Sequence, residues 1–191
     1  MKKRISAALV WGILLIASAL CGCRELEDVT AREQEDAIVK TDGIYIPDAN
    51  FKSYLIDNFD TDDDGEISEE EALAVAEIDI SGNSVSRLSG IEYFSNLERF
   101  DCSNNHLTAI DLSQNTRLRE LNASSNDLTS IDLMKNILLG RLDISNNKEI
   151  SILNLSNNKE LTHLYVSGLS ISELDLTNNS QLERIDYRDT P

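Results

Sequence analysis

The stretch LERFDCSNNHLTAIDLSQNTR, residues 97–117, places Leu97, Phe100, Cys102, Leu107, Ile110 and Leu112 at spacings that direct all six side chains to one interior. Charged and small residues fill the gaps. The same pattern restarts at Val75, Leu97, Leu118, Leu139, Leu161 and Leu182, at intervals of 22, 21, 21, 22 and 21 residues. A fixed period near twenty marks a solenoid, in which each coil is one supersecondary unit that buries its apolar face against its neighbours. The period-2 pieces, such as Phe100 to Cys102, read as half-buried strands.

Asparagine recurs three residues past the strand at Asn83, Asn105, Asn126 and Asn147, and in the second half-coils at Asn115, Asn136, Asn158 and Asn179. A carboxamide both donates and accepts, so it replaces the ladder partners that backbone groups lose where a strand turns a corner. These asparagines are therefore expected to be structural. Leu169 occupies the equivalent place in the fifth coil, and that corner is expected to be remodelled around Gly168.

The pattern L-x-x-L-x-C-S-N-N-x-L-T-x-I-D-L-S-x-N resembles leucine-rich repeats, in particular internalin J-like 21-residue repeats, over residues 78–191. In such repeats cysteine takes one strand position in successive coils and forms a buried ladder. Here only Cys102 matches, its equivalents being Ile80, Ala123, Ile144, Val166 and Tyr187, so a ladder is not expected and Cys102 acts as a small hydrophobe. The resemblance implies an α+β fold: a leucine-rich-repeat solenoid of about six coils with a parallel concave sheet.

The chain begins with Lys2, Lys3 and Arg4 and an apolar run from Ile5 to Leu20, the layout of an export signal. The run ends in Leu20-Cys21-Gly22-Cys23, which resembles the bacterial lipobox and implies a lipoprotein signal peptide over 1–22 with lipidation of Cys23. A cleaved signal without lipid, or an uncleaved anchor, is the other reading of this run. Arg24 after the cysteine favours an outer membrane lipoprotein, and Glu25, Glu27 and Asp28 loosely resemble cell-surface export tags. Residues 23–42 carry seven acidic and three basic residues from Arg24 on, and read as an acidic tether of at most about 60 Å.

The whole chain has 17 basic and 34 acidic residues, a net charge of −17, and loss of residues 1–22 removes three basic residues to leave −20. Nucleic acid is excluded as a partner, because phosphate binding requires the opposite sign. Membrane attachment is expected through lipid alone. With one cysteine beyond the lipobox, no disulfide framework is available.

Residues 43–77 form the predicted N-terminal cap. Within it, DTDDDGEISEEE, residues 60–71, carries carboxylates at alternating positions ahead of a glycine. It matches the EF-hand calcium loop, which implies ligation by Asp60, Asp62 and Asp64, the backbone carbonyl of Glu66, Ser68 through water, and Glu71 as a bidentate ligand. Gly65 permits the turn and Ile67 is expected to pin the loop to the core. Ser68 and Glu71 also spell a helix capping box, which is compatible with the calcium reading but leaves the three alternating aspartates unexplained. Phe51, Tyr54, Leu55 and Phe59 recur at helical spacing before the loop, with Asp48 as N-cap, and Glu69 to Ala76 reads as a short helix after it. One loop without a second favours a stabilising calcium ion, bound at about 0.1–1 mM, over a sensor.

Stacking the coils gives the outward columns of the concave face. One holds Arg99, Glu120, Arg141, His163 and Arg184, the next Asp101, Asn122, Asp143, Tyr165 and Asp186. Candidate partner-binding residues for a protein or glycan ligand are Arg99, Arg141, His163, Tyr165 and Arg184. The competing expectation is that the Arg and Asp columns merely neutralise each other across neighbouring strands. On the opposite side Asp111, Asp132 and Asp175 align, with Asn154 interrupting, as solvated carboxylates beside turns. His106 and His163 form no zinc or triad constellation, and no nucleophile, base and orienting group converge, so no enzyme is expected.

The short coil from Leu182 to Tyr187 is either masked by residues 188–191, or meets another molecule, or continues in a longer product. The leading expectation is a surface- or envelope-anchored recognition module with a structural calcium site. The alternative is an envelope-organising structural lipoprotein that assembles through the open end of its solenoid. The sequence does not define an oligomeric state.

Overall fold

The computed structural model describes residues 43–188. The predicted signal peptide, Cys23 and the tether lie outside the described residues. An extended segment, 43–48, leads into helix α1 (Ala49–Phe59), the acidic loop, helix α2 (Glu69–Ala74) and strand β1 (Glu77–Asp79). A 3-10 turn (Ile91–Tyr93) follows, then β2 (Arg99–Asp101), β3 (Glu120–Asn122), β4 (Arg141–Asp143), β5 (His163–Tyr165) and β6 (Arg184–Asp186). The strands form one parallel sheet in chain order, β1 to β6. Six strands bound five closed turns of the solenoid.

Register follows the repeat without slippage: Ile78, Phe100, Leu121, Leu142, Leu164 and Ile185 are successive partners across the sheet. A one-residue shift would turn these side chains outward, so burial of one face fixes the pairing. Of the six apolar positions read from each of the second and third coils, five are buried and one, Ile110 or Ile131, is half-buried; all six of the fourth coil are buried. Cys102 lies within this core, where burial pushes its thiol pKa upward. At the last strand the interior positions open, with Ile185 39% and Tyr187 63% exposed.

The first asparagine column satisfies the corner as its chemistry requires. Asn126 donates through Nδ2 to Cys102 O and Ala123 O and accepts at Oδ1 from Leu107 N, while Asn147 repeats this with Ala123 O, Ile144 O and Leu128 N. In the second column Asn136 and Asn158 donate to carbonyls of the preceding coil. All of these carboxamides are buried. Asn83, at the start of the first column, is exposed, and its side chain donates to Ser81 O nearby.

The corner at Gly168 is not remodelled. Gly82, Asn104, Ser125, Asn146 and Gly168 stand at the same place in successive coils, and all have φ between +55° and +72°. Glycine is there because every coil turns through the left-handed region at that point. What changes is the rung: Leu169 is buried without an amide, and Ile150 N donates to Asn147 O of its own coil instead.

Asp48 caps α1 as expected, its Oδ1 accepting from Asn50 N and Phe51 N at 3.1 Å each. Its Oδ2 also accepts from Ser86 N and Arg87 N of the first coil, at 2.8 and 3.1 Å. One carboxylate thus clasps helix and solenoid together. Phe51 and Leu55 bury the inner face of α1, and Tyr54 stacks edge-on against Phe59 and accepts from Asp79 N. Helix α2 ends at Ala74, two residues earlier than expected, because Val75 turns to the extended conformation that feeds β1.

Candidate functional site

Two regions collect the residues singled out from the sequence. The first is the acidic loop. Asp60, Asp62 and Glu71 each present an oxygen, and the three lie within 4.8 Å of one another. Asp64 is outside that trio and its Oδ1 accepts from Glu66 N at 2.9 Å. Asp60 Oδ2 accepts from Gly65 N at 2.9 Å, which closes the turn, and Gly65 has φ +84°. A side chain there would be conformationally strained.

Glu71 is the hinge of this loop. Oε1 accepts from the backbone and hydroxyl of Thr61, and Oε2 from the backbone and hydroxyl of Ser68, at 2.7–2.9 Å. With the reciprocal bond from Glu71 N to Ser68 Oγ, the capping box is complete. Partial burial acts to raise the Glu71 pKa, but the donors on Ser68 and Thr61 outweigh it and bring the group down to about 2. All four lone-pair directions of this carboxylate are thus engaged. Bidentate ligation of a cation requires the two hydroxyls to rotate away, a small cost, while the backbone bonds persist.

Glu66 points its side chain at Lys52, 2.7 Å away, leaving only its backbone carbonyl for the expected ligand role. Ile67 is fully buried, and its carbonyl accepts from Ile44 N at 2.7 Å. The extended segment before α1 therefore supplies the backbone partner for this single loop. That contact carries no residue signature, so the sequence could not announce it.

The second region is the concave sheet. Glu77, Arg99, Glu120, Arg141, His163 and Arg184 occupy one register column on β1 to β6. Arg99 lies 3.4 Å from carboxylate oxygens of both Glu77 and Glu120. Neutralisation therefore runs within this column, not between the Arg and Asp columns as expected. The neighbouring column is engaged with the backbone instead, where Asp79, Asp101, Asn122 and Asp143 accept from the N–H two residues on, at 2.9–3.2 Å. Each is an Asx turn that closes the corner after its strand. On the opposite side Asp111, Asp132, Asn154 and Asp175 make the same bond, which explains how asparagine interrupts the aspartates without consequence.

Tyr165 is the exception in the Asp column. Its ring receives the guanidinium of Arg141 at 4.7 Å from the centroid and that of Arg184 at 5.6 Å. Arg141 also donates to the Tyr165 hydroxyl at 3.3 Å. His163 Nδ1 sits 2.9 Å from the Thr162 hydroxyl on the same strand edge. At the starts of β3 to β5 an open groove of about 1050 Å³ is lined by residues including Arg119, Arg141, Lys159, Thr162 and His163. The five predicted partner residues thus divide: Arg141, His163, Tyr165 and Arg184 form one cluster, and Arg99 belongs to an ion-pair row. Arg119 and Lys159 were missed because they precede the strands rather than lie on them.

The parallel sheet, the inward leucines and the asparagine columns define a leucine-rich-repeat protein whose coils are internalin J-like. No family model matches the chain. Over 72 residues, 38% of the chain, it is 35% identical to internalin J of Listeria monocytogenes serotype 4b (strain F2365), a stretch that makes up 8% of that protein. The solved functional domain of InlJ from Listeria monocytogenes, which includes a cysteine ladder, matches with a TM-score of 0.71 at 33% identity, over 75% of this chain and 32% of that one. The internalin InlF of the same species, strain 4b F2365, shares the fold at TM-score 0.61 and 24% identity, over 76% of this chain and 51% of that one. So does a leucine-rich-repeat protein of Leptospira interrogans, at 0.60 and 21%, over 65% and 34% of the two chains. The match spans less than a tenth of internalin J itself and about a third of its solved domain. Among the described residues no helix is long and apolar enough to cross a membrane.

Proposed function

We propose that this protein is a surface-anchored recognition module that binds a protein ligand on the concave face of its solenoid. The observation that carries this reading is Tyr165, the one residue among β1 to β5 that gives up the Asx corner of its column and instead organises two arginines on the open sheet. Structural need explains the aspartates around it. It does not explain the tyrosine. The internalin-like coils support the same assignment, since the relatives present this sheet on an equivalent scaffold.

In this reading Cys23 carries the lipid that holds the protein in the outer membrane, facing outward, and the acidic stretch after it spaces the domain from the bilayer. Metabolic labelling with a palmitate analogue should mark the parent protein and not Cys23→Ser. Calcium, held by Asp60, Asp62 and Glu71 with the Glu66 carbonyl and with Asp64 and Ser68 in support, would brace the cap by screening carboxylates that otherwise repel. The fit of the loop rests on the three converging oxygens and on the open space around Gly65.

The test is a comparison of two faces. The full chain, immobilised, is exposed to host and bacterial surface extracts with calcium or with chelator. Tyr165→Ala should lose the captured protein, while Asp132→Lys on the opposite side should retain it. Equal capture by both variants removes the concave-face assignment.

A further inference from the structure

The concave sheet has two unlike halves. Toward the cap, Glu77, Arg99 and Glu120 alternate in sign on adjacent strands and Arg99 is paired on both sides. Farther along, the same column runs Arg141, His163, Arg184 with no carboxylate among them. Among the described residues neither Arg141 nor Arg184 forms an ion pair with a carboxylate. Of the nearby acids, Glu120 is paired with Arg99, Asp143 accepts from the backbone and hydroxyl of Ser145, and Asp186 from the hydroxyl of Ser167 and the guanidinium of Arg188, while Glu160 lies on the groove wall beside Gln181. On a chain of net charge −17, two arginines without an ion-paired carboxylate are a local reversal of the protein's own field.

The geometry of that row narrows its ligand. Arg141 and Arg184 reach the Tyr165 ring from the strands on either side of it, so two guanidinium groups already occupy the space over the ring. Sugars bind aromatic residues by stacking on an open face, and here the two guanidinium groups compete for that place. Instead its electron-rich faces hold the two guanidinium groups in place and offset their mutual repulsion. A guanidinium already held against a ring loses less freedom when its fork receives a carboxylate. Two strand spacings separate the strands that carry the arginines, about 10 Å at roughly 4.8 Å each, a gap that two long acidic side chains on one face of an extended chain can span. The adjoining groove, with Arg119 and Lys159 but also Glu120 and Glu160 on its walls, has room for such a chain.

We infer that Arg141, Tyr165 and Arg184 form a clamp for an acidic segment of a protein partner, with one carboxylate on each guanidinium. The inference rests on the concave-face reading and specifies its ligand chemistry. Arg99 has no part in the clamp, because Glu77 and Glu120 already satisfy it.

The experiment measures binding of a fluorescein-labelled, glutamate-rich peptide to the full chain by polarisation at low salt. A glutamine counterpart and a hyaluronan oligosaccharide serve as neutral and anionic-glycan probes. The glutamate peptide should bind and weaken with salt, while the other two should not bind. Arg141→Gln combined with Arg184→Gln should weaken it about tenfold, and Arg99→Gln by less than about twofold. Tyr165→Leu, which keeps both charges and frees the forks, should fall between, with melting temperatures showing that each variant is folded. Equal binding of the glutamine peptide, equal binding of hyaluronan, no binding at all, or an Arg99→Gln loss matching the double variant would each overturn the clamp. If the peptide fails while Tyr165→Ala still abolishes capture from surface extracts, the acidic ligand is wrong and the concave face stands.

Discussion

In the solenoid the buried corners are met by uncharged carboxamides, whereas in the cap the comparable backbone donors are met by carboxylates near the surface. Asn105, Asn126, Asn136, Asn147 and Asn158 are buried, and their bonds carry no titratable group. Asp48, Asp60, Asp64 and Glu71 receive the backbone N–H groups of the cap. A buried carboxylate would need a counter-charge, which a narrow coil has no room for, so amides serve there. The cap lies open to water and tolerates charge. Stability of the coils is therefore expected to depend on packing, and stability of the cap on ions and pH.

The largest effect should come from the coils. Leu142→Ala removes a fully buried side chain at the centre of the sheet and should cost about 2–5 kcal/mol, read from urea or thermal unfolding. The same measurement in calcium and in chelator should give the same loss. Asn126→Ala follows, because it orphans Leu107 N in the interior and takes one of two donors from Cys102 O and Ala123 O, which keep Asn105 and Asn147, at about 1–3 kcal/mol. A loss below about 0.5 kcal/mol would mean that water reaches that corner, and would blur the contrast between coil and cap.

Much of this contrast was legible in the sequence, and its limits are physical. Leucine and asparagine positions repeat, so a displaced reading of one coil is corrected by the next, and the strands and interior followed from that redundancy. The cap occurs once. Phe51, Leu55 and the Asp48 cap were readable from local spacing, but the bonds from Ser86 and Arg87 to Asp48 join residues 38 and 39 positions apart and leave no local pattern. On the concave face the columns were readable and their partners were not. Whether Arg99 pairs with an Asp beside it or a Glu one strand away depends on side-chain reach and on the prior claim that each Asx turn makes on its aspartate.

Calcium should sharpen the contrast next. At about 10 mM, a site with Kd of about 0.1–1 mM would add about 1.4–2.7 kcal/mol, seen as a higher melting temperature that vanishes in Asp60→Ala and Glu71→Ala. An unchanged melt in the parent protein removes the metal. The smallest effect concerns acid. Glu71 ionises at about 2 in the folded protein against an ordinary 4.5, so its stabilising contribution is complete above pH 4.5 and declines as pH falls toward 2. In chelator, Glu71→Gln should lessen the stability lost between those values. If parent and variant decline in parallel, the capping box does not set the acid response of the cap.

The missing rung at Leu169 has a mechanical consequence. Coil-to-coil bonding through the first asparagine column stops at Asn147, so the joint leading into β5 is the place where the stack would part most readily under load or heat. Tyr165 lies four residues before that joint, and its arginines stand on β4 and β6, to either side. Backbone bonds and Ser170 still cross this joint, and a ligand gripping both guanidinium groups would act as a splint where the amide rung is absent.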